Sequence, residues 1–178
     1  MAMKNVWSLQ VDEAIVSEHL KDYFQHNKDQ DYDIFFPVNS HLKNIDLIVY
    51  NMKTHKTKTV QVKASRSYLD KGFEYGWHRV AVDKFDSDMV DFFIFVTYFS
   101  EITKEKREIK PVFAVIPTTE LLKIIKNYKE IEKNGDCRFS FYHDGEHLSD
   151  YGSLKSHIDK ENGIDFSKYL NNFELLKK

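Results

Sequence analysis

The sequence predicts an α/β protein in which a central β-sheet is flanked by helices. Apolar residues recur at helical spacing near the start of the chain and again after residue 118. Between and beyond these two segments lie short runs rich in β-branched and aromatic residues, which are typical of strands. The run at 91–99 is so strongly apolar that we expect a central strand there.

The first helical pattern predicts an amphipathic helix over Val11–His26. Its apolar face consists of Val11, Ile15, Val16, Leu20, Tyr23 and Phe24. The polar face includes Glu13 in the early turns, where the helix dipole by itself favours an acidic residue. Glu18 on the same helix is a rival for any functional role given to Glu13.

Two β-branched runs follow, at residues 45–49 and 59–62, and the polar segment between them suits a hairpin loop. Side chains at i and i+2 of a strand share a face, so Gln61 and Lys63 point together. The valines beside them point into the core. If the two strands pair, Asp46 lies near both polar side chains at one edge of the sheet.

A carboxylate, an amide and an amine in this arrangement suit phosphodiester hydrolysis. An ionised Asp46 supplies a hard oxygen ligand for Mg²⁺, and the amide oxygen of Gln61 supplies a weaker one. Lys63 could orient the attacking water and stabilise charge that develops on the phosphate oxygens. The same pattern also occurs in edge hairpins whose Asp and Lys side chains are merely solvated.

Asp46 followed about fifteen residues later by Gln61-Val62-Lys63 resembles the core of the PD-(D/E)XK nuclease superfamily. The match is to the variant with Gln in place of the second acid, as in Mrr-type restriction endonucleases and some archaeal Holliday junction resolvases. Glu13, with apolar residues three and seven positions later, is similar to the first helix of that superfamily. Residues 34–38 are similar to the strand that precedes the aspartate.

The resemblance implies a restriction endonuclease-like core over about residues 10–120, with a mixed central β-sheet flanked by helices. It also implies a metal-dependent DNA endonuclease. The catalytic residues that it implies are Glu13, Asp46, Gln61 and Lys63.

Each of these residues receives a role from the resemblance. Asp46, the amide of Gln61 and the backbone carbonyl of Val62 would bind Mg²⁺ or Mn²⁺. Lys63 would position the attacking water. Glu13 would complete the site, either directly or through a second water.

The charge balance limits how the chain can bind DNA. Its 178 residues suit one domain over residues 1–178. With 26 Lys and Arg against 28 Asp and Glu, the net charge is −2. A DNA-binding enzyme of this composition must therefore concentrate its positive charge locally.

A basic segment provides such a concentration. Positive residues and one histidine occupy fourteen positions without any acid: Lys53, His55, Lys56, Lys58, Lys63 and Arg66. We expect Lys53, Lys56, Lys58 and Arg66 to contact phosphates, which would make binding salt-dependent. The alternative is a solvated lysine-rich hairpin without a partner.

Residues 66–79 are rich in glycine and aromatic residues and show no periodicity, so one interpretation of this segment is a loop. Such a loop could fold over the site, with Tyr75 and Trp77 stacking on bases and Arg79 contacting phosphate. Alternatively, these aromatic side chains cover the open end of the core.

The remaining elements can be assigned from their patterns. We predict a strand at 111–116 after a solvated turn at 101–110, and a helix that begins at 118 and ends at 134–135. A short strand at 138–142 and a terminal helix at 166–176 follow. Residues 143–147 contain two histidines, but the glycine between them favours a turn over a helical zinc site.

One cysteine, Cys137, excludes an internal disulfide, and neither a leader nor a membrane span is visible, so we expect a cytoplasmic protein. The expected partner is DNA. Sequence specificity would have to come from loops, from homodimerisation or from a partner protein. Two alternatives remain open: a catalytically silent nuclease-like module that binds DNA or a protein in a mobile-element or defence system, and a structural role in a larger complex.

Overall fold

The computed structural model describes residues 11–37, 44–70, 73–102, 107–126, 135–150 and 163–178. Its two α-helices are α1 (Val11–His26) and α2 (Thr118–Lys126). The strands are β1 (Tyr32–Phe35), β2 (Leu47–Asn51), β3 (Lys56–Asp70), β4 (Phe73–Ala81), β5 (Phe92–Ile102), β6 (Arg107–Pro117), β7 (Asp136–His143), β8 (Leu148–Asp150) and β9 (Ile164–Asp165). Neither helix in these ranges has the length and apolar character that crossing a membrane requires.

The strands form one mixed sheet in which β3 is shared by two parts. In the first part, β1, β2 and β3 are antiparallel neighbours, β3 pairs with β5 in parallel, and β5 pairs with β6 antiparallel. In the second part, the end of β3 continues antiparallel through β4, β7, β8 and β9. The predicted α/β class and mixed sheet are confirmed.

The second part of the sheet folds back over the first. A Cβ atom on Gly76 of β4 would collide with the side chain of Thr97 on β5, so only glycine permits this close approach. The ring of His78 contacts the ring of Phe95 at 5.2 Å and shares a hydrogen bond of 2.9 Å with the Thr97 hydroxyl. These contacts fix the position of β4 against β5.

Two cores lie on opposite faces of β5. The hairpin-side core, between the two parts of the sheet and α2, includes Phe93, Phe95, Phe139, Phe141 and Leu121. The helix-side core, under α1 and the C-terminal segment, includes Val16, Leu20, Val62, Ile94 and Leu176. Since alternate residues of β5 enter different cores, the prediction of a central strand at 91–99 is confirmed.

One predicted element agrees with the structure over its whole length, and two others differ from it at their ends. The helix predicted over Val11–His26 is confirmed. The strand predicted at 34–38 lies instead at Tyr32–Phe35, and residue 38 is outside the described ranges. The helix predicted from 118 is present as far as Lys126, and residues 127–134 are also outside those ranges.

The interpretation of residues 66–79 as a loop is wrong, because β3 and β4 form a hairpin there. The segment does alternate: Gly76, His78 and Val80 are buried, whereas Trp77 and Arg79 are exposed. The pattern was missed because two of its three buried positions are not apolar.

The solvated turn predicted at 101–110 is wrong for residues 101–102 and 107–110, and residues 103–106 lie outside the described ranges. The β5–β6 ladder continues to the pair Ile102↔Arg107, so most of the charged segment is strand. The two strands extend into the charged segment because their backbones pair, and backbone hydrogen bonds do not require apolar side chains.

The terminal helix predicted at 166–176 is replaced by two short 3-10 helices, Ser167–Tyr169 and Phe173–Lys177. Between them, Asn171 pairs with Phe113 of β6: its N–H donates to the Phe113 carbonyl at 2.7 Å, and its side-chain oxygen accepts from the Phe113 N–H at 3.0 Å. A backbone engaged in this way cannot form continuous helical hydrogen bonds.

Buried His78 gives a test of this packing. Burial lowers the pKa of His78 to about 3, whereas an unfolded histidine has a pKa of about 6.5. The unfolded state therefore binds more protons between these values, so the free energy of unfolding falls as the pH drops through this window. The contribution is at most about 1.4 kcal/mol per pH unit.

We expect His78→Phe to make the free energy of unfolding less dependent on pH between about 6.5 and 3. Urea denaturation across this range measures the slope. The same change at the exposed His26 of α1 is the control for replacing a histidine at the surface. An unchanged slope in His78→Phe would contradict the burial of a neutral imidazole.

Candidate functional site

Asp46 lies immediately before β2 but continues its pairing with β3. Its N–H donates to the carbonyl of Val60 at 2.8 Å. One carboxylate oxygen, Oδ2, accepts from the N–H of Val62 at 2.7 Å and from the side-chain amide of Gln61. Asp46 and Gln61 therefore share one side of the sheet, as the sequence predicts.

Gln61 is buried, with 4% of its surface exposed. Its amide nitrogen also lies 3.5 Å from the carbonyl oxygen of Val62, so that carbonyl faces the Gln61 side chain. The side chain of Val62 belongs to the helix-side core. Val62 can therefore contribute only backbone atoms to a site beside Gln61.

Lys63 follows two residues later and is half-buried. Burial lowers the pKa of Lys63, while the negative charges of Asp46 and Glu13 partly oppose this effect. The two negative charges therefore act on the ammonium, although within the described ranges it forms no ion pair with either carboxylate. Desolvation strengthens its attraction to negative charge.

Glu13 reaches the same place from α1. Burial raises the pKa of Glu13, and the nearby carboxylates of Asp46 and Asp12 raise it further. Its Oε2 atom is buried and has no hydrogen-bond partner within the described ranges. The rival residue Glu18 is exposed on α1, so Glu13 is the acid that approaches the strands.

The four side chains of Glu13, Asp46, Gln61 and Lys63 form what we call the polar cluster. Burial also raises the pKa of Asp46, although the Val62 N–H, the charge of Lys63 and the Gln61 amide oppose this. Two desolvated carboxylates, one with an oxygen that lacks a partner, favour the approach of a cation.

The donor atoms of the polar cluster are hard oxygens, which Mg²⁺ and Mn²⁺ prefer. In the part of the chain that the structure describes, no group of three or more His, Cys, Asp or Glu side chains could hold a metal. A cation here would therefore depend on Glu13 and Asp46 together with neutral oxygens from Gln61 and Val62. For that, the Gln61 amide must turn its oxygen towards the ion.

Lys84 is a residue near the cluster that the sequence did not indicate. It ends the 3-10 helix Val82–Lys84, which follows β4. Its positive charge lowers the pKa of Lys63, although by less than burial does. No sequence signal marks it, because it lies in a segment dominated by acids.

Three of the expected DNA contacts lie away from the polar cluster. Lys53 is in the turn between β2 and β3, and Lys56 and Lys58 are at the start of β3. Asp46 is at the opposite end of β2. Lys58 lies 5.9 Å over the ring of Phe92.

The other three expected contacts lie beyond Lys63. Arg66 is exposed on β3, and its side chain has no ion-pair partner within the described ranges. Trp77 and Arg79 are exposed on β4. Arg79 forms an ion pair with Asp136 at 2.6 Å.

An open groove of about 860 Å³ lies between the start of α1 and the sheet. Its walls are the start of α1, residues 64–67 of β3, and parts of β5 and β6. The Tyr98 hydroxyl on its wall donates to Asp12 at 2.6 Å, and burial raises the pKa of Tyr98. The side chains of the polar cluster are not among the residues that line this groove in the described ranges.

No protein-family model, curated protein or solved structure matches this chain.

The geometry leads to a test by titration with Mn²⁺. We expect calorimetry to detect binding that Asp46→Ala and Glu13→Gln weaken and that Gln61→Glu strengthens about tenfold or more, because a charged ligand replaces a dipole. Affinity should fall as the pH drops through the raised pKa values of the two carboxyls, since protons then compete with the ion.

Glu18→Gln, which removes an exposed acid from the same helix, is the matched control for Glu13→Gln and should not change the affinity. Binding of Mn²⁺ that survives Asp46→Ala would exclude the polar cluster as the metal site.

Proposed function

We propose that this chain is a metal-dependent DNA endonuclease with a restriction endonuclease-like core. The observation that carries the proposal is the convergence of Glu13, Asp46, Gln61 and Lys63 from one helix and two paired strands. Partial burial of two carboxylates and a lysine is unfavourable for their charged forms and is common at sites that serve chemistry.

The order of the elements supports the proposed core. A helix that carries an acid precedes an antiparallel β1–β2–β3 meander, and β5 then pairs with β3 in parallel. The resemblance implied this order of helix, strand, strand with Asp46, and strand with Gln61 and Lys63.

The proposed cofactor is Mg²⁺ or Mn²⁺, held by the carboxylates of Glu13 and Asp46, the amide oxygen of Gln61 and the carbonyl of Val62. When bound, such an ion polarises the phosphoryl group and lowers the pKa of a water molecule. The Val62 N–H keeps the Asp46 carboxylate oriented through its hydrogen bond of 2.7 Å.

Lys63 holds the attacking water and donates to the phosphate oxygens on which charge develops. Its half-buried position limits competition from bulk water. The positive charge of Lys84, which acts on Lys63, would favour a phosphate over a neutral substrate.

The decisive experiment is a cleavage panel of supercoiled, linear, branched and modified DNA with Mg²⁺ and with Mn²⁺. We expect Asp46→Ala and Lys63→Ala each to reduce the rate about 100-fold or more. Lys126→Ala, at an exposed position on α2, is the control for loss of a lysine and should cleave normally. Nicking that persists in Lys63→Ala would point to contamination or to a different site.

One observation favours a second candidate, a catalytically silent nuclease-like module that binds DNA or a protein partner in a mobile-element or defence system. The Gln61 amide already donates to Asp46, so it satisfies this carboxylate without a metal. DNA binding without Mn²⁺ binding or cleavage would select this candidate over the enzyme.

A further inference from the structure

A hydrogen bond joins the first turn of α1 to the central strand β5. The Tyr98 hydroxyl donates to the Asp12 carboxylate at 2.6 Å, although the two residues are 86 positions apart in the sequence. A hydroxyl that donates to a carboxylate forms a charge-assisted hydrogen bond, which is stronger than a bond between neutral groups. Burial, this hydrogen bond and the charge of Asp12 all raise the pKa of Tyr98, so the hydroxyl keeps its proton and remains a donor.

Tyr98 has a fixed position in the sheet. Its backbone pairs with Arg66 of β3 on one side and with Pro111 of β6 on the other. Its ring packs against the helix-side core. Because the strand is paired along both edges and the ring is packed, the hydroxyl is held at a defined place above β5.

The first turn of α1, in contrast, has little apolar packing of its own. Val11 is 55% exposed and Ala14 is also exposed, whereas the buried residues of the helix begin at Val16. The ends of helices fray, because the first four N–H groups have no partner within the helix. The hydrogen bond from Tyr98 therefore supplies a restraint that apolar packing does not.

Glu13 depends on the position of this turn. It follows Asp12 directly in α1, and the charges of Asp46 and Lys63 act on its carboxylate. The Oε2 atom of Glu13 has no hydrogen-bond partner within the described ranges. Since no such bond orients this oxygen, the backbone of the first turn determines where the carboxylate lies.

Asp12 itself is directed away from the polar cluster. Asp12 and Tyr98 line the groove between the start of α1 and the sheet, whereas Glu13 is not among its lining residues in the described ranges. Successive residues of an α-helix are rotated by about 100° from each other, so the two neighbouring carboxylates point in different directions. The hydrogen bond of Asp12 therefore acts on the cluster through the helix backbone and not by contact.

We propose that the hydrogen bond between Tyr98 and Asp12 is a positioning interaction, which holds the first turn of α1 on β5 and thereby keeps Glu13 where it can bind a metal ion together with Asp46. The role in metal binding rests on the proposed function. The alternative is that the bond only stabilises the fold. In that case its loss would leave the affinity of the folded protein for the ion unchanged.

Calorimetry with Mn²⁺ tests the role in metal binding. We expect Tyr98→Phe, which removes only the hydroxyl, to weaken Mn²⁺ binding about tenfold, because loss of a group that orients a ligand typically has an effect of this size. In the Glu13→Gln background the same change should alter the affinity by less than about twofold, because the effect passes through Glu13. An equal loss in both backgrounds would overturn the inference.

Tyr23→Phe is the matched control. The Tyr23 hydroxyl, near the other end of α1, donates to the carboxylate of Glu174 at 2.6 Å, so this change removes a bond of the same kind and length. It should leave the Mn²⁺ affinity unchanged. A loss as large as that in Tyr98→Phe would assign both effects to general destabilisation and would overturn the inference.

Two changes at Asp12 test the same bond from its other side. Asp12→Ala and Asp12→Asn both remove the charge, but only asparagine keeps an oxygen that accepts from the Tyr98 hydroxyl. We expect Asp12→Asn to bind Mn²⁺ more tightly than Asp12→Ala, and equal affinities contradict the proposal. Circular dichroism melts identify any variant that fails to fold, and if Tyr98→Phe is one of them, the comparison at Asp12 decides.

Amide hydrogen exchange in EDTA separates this inference from the proposed function. In an α-helix each N–H donates to the carbonyl four residues earlier, so the N–H groups of Ile15 and Val16 report on the first turn. We expect both to exchange about tenfold faster in Tyr98→Phe than in wild type. Unchanged exchange overturns the inference.

The two measurements together distinguish the possible failures. Faster exchange in Tyr98→Phe, in a chain that binds no Mn²⁺, would support the hold on the first turn and remove the metal-dependent function. Binding of Mn²⁺ that is equally tight in wild type and Tyr98→Phe would support the metal site and remove the positioning role.

Discussion

The hydrogen bond from the Val62 N–H to the carboxylate of Asp46 is the interaction on which the candidate site depends. It forms because the β2–β3 pairing continues one residue past β2, where the Asp46 N–H donates to Val60. The backbone of Asp46 is fixed by its bond to Val60, and its carboxylate is fixed by the bond from the Val62 N–H. Together these two bonds keep the carboxylate beside the Gln61 amide. The apolar side chains of the two strands, buried under α1, fix the register and therefore the position of the acid.

A single long strand connects the parts of the molecule that the proposals use. The first half of β3 carries Gln61 and Lys63 and pairs with β2 and β5, whereas its end pairs with β4. Close packing of Gly76 on Thr97 holds β4 over β5 and turns the exposed side of the hairpin outwards. One continuous strand thus carries the residues that pair with Asp46 and the residues on which the hairpin folds.

Elements whose buried residues are apolar and regularly spaced could be predicted from the sequence. Elements that bury glycine or polar residues could not. The α1 helix and the strands around Asp46 and Phe95 have plain patterns. The β4 strand buries a glycine and a histidine. The C-terminal segment is bound to β6 by the hydrogen bonds of Asn171 with Phe113. The contact between Asp46 and Gln61 could be predicted from strand alternation. The influence of Lys84 on Lys63 could not be predicted, because it depends on the path of the chain after β4 and no local sequence pattern indicates that path.

The energetics of the polar cluster differ from those of the ion pairs at the surface. Lys123 and Glu120 are exposed and form a pair of 2.6 Å, and such pairs contribute little to stability. In the cluster, burial raises the pKa of Glu13 and Asp46 and lowers that of Lys63, so each charged form is disfavoured by its surroundings. Desolvation is therefore only partly compensated, and a cation near the carboxylates together with a phosphate near the lysine would supply the missing charges. Ligands of opposite charge would reduce this unfavourable desolvation, which is the physical reason that the proposed function assigns the cluster to ligand binding and not to a structural ion pair.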